Sequence, residues 1–238
     1  MLIFRFCCSN AIAVILLLLL ATDTISMSNK DAASVQQNLI DANGHYNQGN
    51  LDQALLLYRR CLEQEPNQSD CLCNLASLLV DTGDSEGAEV YYRRALEVTD
   101  FKHAGALYNL ALLLQESSKE RDLKDAKELY LKLIQIEPEN AEAWANIGAV
   151  LHQLGELNLS IPSYIKAIEL YSAGDSDQRG VLSSLHENVG RATLRLSEQM
   201  AGESDKKKGL VKRAIGFLET ALQYNPDNEV YITSATYF

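Results

Sequence analysis

The sequence predicts an all-α fold, a right-handed superhelical stack of about five helix-turn-helix repeats. Three observations lead there. One side-chain pattern returns at a spacing of 34 residues, from Ala54 to Ala88 and again from Ala126 to Ser160. Within each copy a small residue, a tyrosine and a small or apolar residue fall four and three apart, the spacing of one helical face. The chain has only 4 prolines in 238 residues, and Pro66, Pro138 and Pro226 fall just past expected helices rather than within them.

The second helix of each pair carries the triad. It reads Ala54-Tyr58-Cys61, then Ala88-Tyr92-Ala95, Ala126-Tyr130-Leu133 and Ser160-Tyr164-Ala167, with a worn copy at Ala214-Leu218-Ala221. A first helix precedes each of the last four, in CLCNLASLL (71–79), ALYNLALLL (106–114), AWANIGAVL (143–151) and LHENVGRATL (185–194). These share asparagine, an apolar residue and a small residue in sequence, as in Asn74-Leu75-Ala76 or Asn146-Ile147-Gly148. The small residue lets two helices cross closely, and the bulky residue ahead of it (Leu72, Leu107 or Trp144) is expected to fill the gap beside the crossing. Gly49, Gly83 and Gly155 stand where a first helix should stop, as a glycine past a helix end does.

Irregular stretches interrupt the period. QESSKERDLKDA (115–126) predicts a longer turn inside the third pair. SAGDSDQRG (172–180) predicts a long polar connection between the fourth and fifth pairs. SEQMAGESDKKKG (197–209) reads either as a loop or as a longer helix pair. Pro162 falls inside a second helix, where it removes one backbone hydrogen bond and should bend the first turn. The repeats occupy 35–226, near 35–68, 69–102, 103–140, 141–174 and 181–226, after a linker over 27–34. A partial helix is expected over 227–238. It lacks the small-residue motif and would make a poor cap, so that end is free to dock or self-associate.

Residues 1–26 read as an address. AIAVILLLLLA (11–21) is an unbroken apolar run followed by polar residues, with Thr24 and Ser26 suited to cleavage just before Met27. That length fits a secretory signal peptide; counting Phe6 to Cys8 extends it toward an uncleaved signal anchor. Either form delivers the rest of the chain to the lumen, and the membrane is a partner only if the segment stays uncleaved. Two N-x-S sequons, at Asn67 and Asn158, are candidate glycan acceptors. Asn67 falls in an expected loop and Asn158 at a helix start. Among the cysteines beyond the leader, Cys71 and Cys73 point about 200° apart on one helix, poor geometry for a metal or for a disulfide with each other. Cys61, Cys71 and Cys73 are expected as buried thiols, with a Cys61–Cys71 pair as the alternative.

The net charge of −11 argues against nucleic acid as a partner. The histidines His45, His103, His152 and His186 are scattered, and no H-E-x-x-H, G-x-S-x-G or phosphate-cradling glycine loop occurs. No catalytic residue, metal or cofactor is expected.

The repeat resembles the tetratricopeptide repeat. The pattern W-x₂-L-G-x₂-Y…A…F…P is met by Trp144, Ile147, Gly148, Leu151, Gly155 and Tyr164, though Ser160 and Ser172 replace its alanine and proline. That resemblance implies a scaffold whose first helices line a concave, protein- or peptide-binding face. Asn74, Asn109, Asn146 and Asn188, one per repeat, would lie on that face like the asparagine ladder of O-GlcNAc transferases, and would pair with peptide backbone. Glu142, His152, Glu187, Arg191 and Arg195 would supply a charged rim. The carboxylate clamp of chaperone adaptors is not implied: Leu39 stands at its lysine position, and Gly105 and Asn109 stand where it needs basic groups. In tetratricopeptide repeats a tryptophan such as Trp144 packs between helices and holds the core. A repeat region that recruits partners for a glycosyltransferase or hydroxylase domain, or a membrane-anchored adaptor, are the alternatives.

Overall fold

The computed structural model of the chain describes residues 32–117, 119–174, 178–200, 202 and 205–226. The apolar leader and the stretch 227–238 lie outside the described residues. Among those residues every element is helical. Helix α1 covers 32–47. It is followed by α2 (Leu51–Gln64), α3 (Ser69–Asp81), α4 (Ser85–Val98), α5 (Ala104–Glu116), α6 (Glu120–Ile136), α7 (Ala141–Gln153), α8 (Leu157–Ser172), α9 (Arg179–Glu198) and α10 (Asp205–Tyr224). Consecutive helices pair into hairpins, giving an all-α helix-pair repeat fold. The helices form two compact units that divide at Val98 and Thr99, the first holding α1 to α4 and the second α5 to α10.

Local chemistry sets the helix ends. Gln68, His103 and Asn140 each accept, through a side-chain atom, the backbone N–H three residues on, at 2.7, 3.1 and 2.9 Å. They cap α3, α5 and α7 by satisfying donors that the first turn leaves unpaired. His103 is thereby explained as a cap. At the other ends, Gly83 and Gly155 take φ of +86° and +78°. The residue after each then bonds back to the turn, Asp84 N–H to Leu79 C=O and Glu156 N–H to Leu151 C=O, both at 2.8 Å.

Every member of the five triads is buried. In two of the hairpins the triad meets the small residue of the first helix directly, Tyr164 on Gly148 and Leu218 on Gly190. One expectation changes. The extra residues near 120 do not part the third pair further: α5 ends at Glu116 and α6 begins at Glu120, a step equal to that from Asp81 to Ser85 and from Gln153 to Leu157. They extend α6 instead, to 17 residues against 14 in α2 and α4, because Glu120 and Asp122 suit a helical first turn. Of the stretch 197–209, read as either a loop or a longer helix pair, both ends join helices of 20 residues each, α9 to Glu198 and α10 from Asp205. Pro162 sits within α8, as expected.

The cysteines also depart from the thiol reading. Cys61 on α2 and Cys71 on α3 form a disulfide with Cα atoms 6.5 Å apart. The repeat places those two positions face to face, which sequence separation alone did not reveal. Cys73 stays a free, buried thiol, pushed up to about 12 by burial and then by the Asp70 charge.

Candidate functional site

The four asparagines divide between the units. Asn74 lies on α3 of the first unit, half-buried, and its amide donates to Asn43 Oδ1 at 2.9 Å. Tyr58 donates to the same oxygen at 2.6 Å, so Asn43 joins α1, α2 and α3 through one acceptor. Asn74 thus spends a donor inside the fold. The α1 residue one period earlier is Ile40, which is exposed.

In the second unit α7 lies against both α5 and α9. Asn109, Asn146 and Asn188 occupy the same position on these three first helices, all half-buried. The fold therefore brings three of the expected ladder residues onto one face. Asn146 donates to the Tyr108 phenol at 3.3 Å, whereas Asn188 makes no side-chain hydrogen bond among the described residues.

Around this row the face is polarised. At the start of α7 stands Glu142, exposed and without an ion-pair partner among the described residues. Its charge acts on nearby phenols. Tyr108 is held above its ordinary pKa by burial first and then by Glu142, with Asn146 pulling the other way. Tyr171 is raised by burial, Glu142 and Tyr108 in that order. Tyr130 packs edge-on against Tyr108, with centroids 6.2 Å apart, and is raised chiefly by burial. At the other end of α7, Arg195 donates to the His152 carbonyl at 3.2 Å. His152 is held below its ordinary pKa by burial, then by Arg195 and Arg191. Arg191 pairs with Glu187 at 3.3 Å, while Arg195 has no carboxylate partner among the described residues. The tyrosine cluster was not legible in the sequence. Tyr108 does not recur on the other first helices, so periodicity gave no signal for it.

Trp144 packs on the core as expected but is not enclosed by it. Leu72 and Leu107 are fully buried, but Trp144 is only half-buried, donating its indole N–H to Pro138 C=O at 2.8 Å. One edge packs on the Tyr164 cluster. The other lines an apolar cleft of about 510 Å³ with Leu131, Ile147, Leu159 and Pro162, rimmed by the Lys127–Glu156 ion pair at 2.8 Å. The larger indole does not fit wholly beneath the crossing that hides a leucine.

The candidate acceptors also divide: Asn67 is exposed in the α2–α3 turn, where its side-chain oxygen accepts from Arg94 at 3.3 Å, and Asn158 is exposed as the second residue of α8. No group of three or more metal-ligating side chains occurs among the described residues.

Residues 45–110 and 129–161 match models described as tetratricopeptide repeat. The chain is 29% identical over 172 residues to Protein O-mannosyl-transferase TMTC3 of Homo sapiens; the match covers 72% of this chain and 16% of that protein's length. In fold it resembles the crystal structure of YrrB, described as a TPR protein with an unusual peptide-binding site, at TM-score 0.66 and 16% identity, over 84% of this chain and 90% of that one. It also resembles a crystal structure of MamA, at TM-score 0.64 and 20% identity, over 83% and 95%. With helix pairs, buried triads and family matches in agreement, the chain contains tetratricopeptide repeats.

Proposed function

We propose that this protein is a noncatalytic scaffold that binds protein or peptide partners on its first-helix face, in the secretory pathway. The observation that carries the reading is the alignment of Asn109, Asn146 and Asn188 on α5, α7 and α9. Amide side chains at one height on adjacent helices offer donors and acceptors to an extended backbone whatever its sequence. The peptide-binding description attached to the YrrB structure supports it.

The test is a pulldown from a secretory fraction with wild type and with Asn74, Asn109, Asn146 and Asn188 all changed to alanine, with far-ultraviolet circular dichroism confirming equal helicity. Partners lost at equal helicity support the reading, and the same partners retained overturn it. Secretory delivery is tested apart. A glycosidase-sensitive mass shift removed by Asn67→Gln, together with a mature N-terminus near Met27, supports a cleaved leader; an N-terminus at Met1 supports the anchor.

The likeness to Protein O-mannosyl-transferase TMTC3 favours a second reading, in which these repeats are the recruiting region of a larger glycosyltransferase. Mapping both ends of the transcript tests it: a reading frame that continues into a catalytic domain supports it.

A further inference from the structure

Resting on the first-helix reading, we infer that the face of α5, α7 and α9 selects extended peptides carrying one basic and one acidic side chain four or five residues apart. Two opposite charges on this face without an ion-pair partner among the described residues, Glu142 and Arg195, mark the two ends of α7. Glu142 stands in its first turn, beside the phenol of Tyr108. Arg195 is fastened to the carbonyl of His152 in its last turn. Ten residues of helix separate Glu142 from His152, about 15 Å at a rise of roughly 1.5 Å per residue. An extended peptide advances about 3.3 Å per residue, so that gap is crossed in four or five residues.

The chemistry at each end is different in kind. A lysine or arginine reaching Glu142 meets a carboxylate with tyrosine rings close by, a setting that favours a cation through both charge and ring quadrupole. A carboxylate reaching Arg195 meets a planar donor fork already oriented by its bond to the helix end. Glu187 pairs with Arg191, while Arg195 has no carboxylate partner among the described residues. Between the two, Asn146 keeps its carbonyl oxygen, and Asn188 its whole amide, for peptide backbone. After burial, the larger cause of each shift, Arg195 and Arg191 lower His152 and Glu142 raises Tyr108 and Tyr171. A peptide of uniform charge gains at one end and loses at the other.

The probe is a phage-displayed library of random dodecapeptides, selected on the immobilised full chain, with fluorescence anisotropy on the winners. Enriched peptides should carry a basic and an acidic residue at that separation. Glu142→Gln should weaken them about threefold to fivefold, the scale of a partly exposed charge pair, and neutralising the peptide's basic residue should then cost nothing further. Arg195→Gln should behave likewise toward the acidic residue. Enriched peptides without paired charges, unaffected by either variant yet lost when Asn109, Asn146 and Asn188 become alanine, overturn this inference and leave the proposed function standing. A library that yields no binder overturns both.

Discussion

Replacing Gly148 with alanine tests the packing argument at its tightest point. A methyl built on Gly148 would lie 2.7, 2.9 and 3.0 Å from three ring atoms of Tyr164. Carbon atoms rest at about 3.5–4.0 Å, so the ring must withdraw by most of an ångström. Tyr164 is held by Ala167, Leu185 and Val189, and Ser160 at the top of the same helix donates to the Gly148 carbonyl at 2.7 Å. Overpacking of this kind costs about 1–3 kcal/mol, while alanine recovers about 0.5–1 kcal/mol of helix propensity. Ala76 and Ala111 stand buried at the matching sequence position of α3 and α5, so the repeat accepts a methyl there, and the lower half of the range applies. The expected net loss is about 1 kcal/mol, a melting temperature lower by roughly 4 °C. Gly216→Ala is the control, since nothing lies within 4 Å of its added carbon on α10, and it should gain about 0.5–1 kcal/mol. Urea unfolding followed by circular dichroism reads both. If Gly148→Ala stabilises as much as Gly216→Ala, the close approach does not limit this crossing and the reasoning is wrong.

Three other outcomes follow from the same contacts. Converting Cys61 and Cys71 to alanine should cost up to about 3 kcal/mol of first-unit stability, from the loop-closure entropy of a ten-residue separation; non-reducing peptide mapping after thiol alkylation checks that the bridge forms. Asn43→Ala strands the Tyr58 hydroxyl and the Asn74 amide and should cost about 2 kcal/mol, whereas Asn188→Ala should change melting by less than about 0.5 kcal/mol. His152, with its folded pKa below its unfolded value, makes folding most favourable above about pH 6.5, and that contribution is lost as pH falls from there toward the folded value. Arg195→Gln should move the His152 titration upward in a nuclear magnetic resonance pH series.

The buried half of this protein was readable and the exposed half was not. The Ala–Tyr–small triads announce themselves because each must meet a neighbouring helix at a fixed height, and burial constrains size at every repeat. Asn109, Asn146 and Asn188 were visible for the same reason, as they ride on those helices. Tyr108, Glu142 and Arg195 break the period, and only the side-by-side placing of α5, α7 and α9 joins them. The Cys61–Cys71 bond was weighed against buried thiols and could not be decided from a spacing of ten residues. The three additional residues near 120 were read as a longer turn, whereas first-turn carboxylates favoured helix.

The disulfide has a mechanical meaning. Arrays whose members touch only their neighbours come apart from the ends, one hairpin peeling after another. Here α2 is stitched to α3, so the opening hairpin cannot be drawn off separately from the next. Pulled from its amino terminus, the chain meets a covalent stop at Cys61. The span to Cys71 then stays out of the extension, shortening it by roughly 30–35 Å at the reach of an extended backbone. Fraying from that side is arrested within the first hairpin, after the Asn43 contacts to Tyr58 and Asn74 have been given up and before α3 is reached.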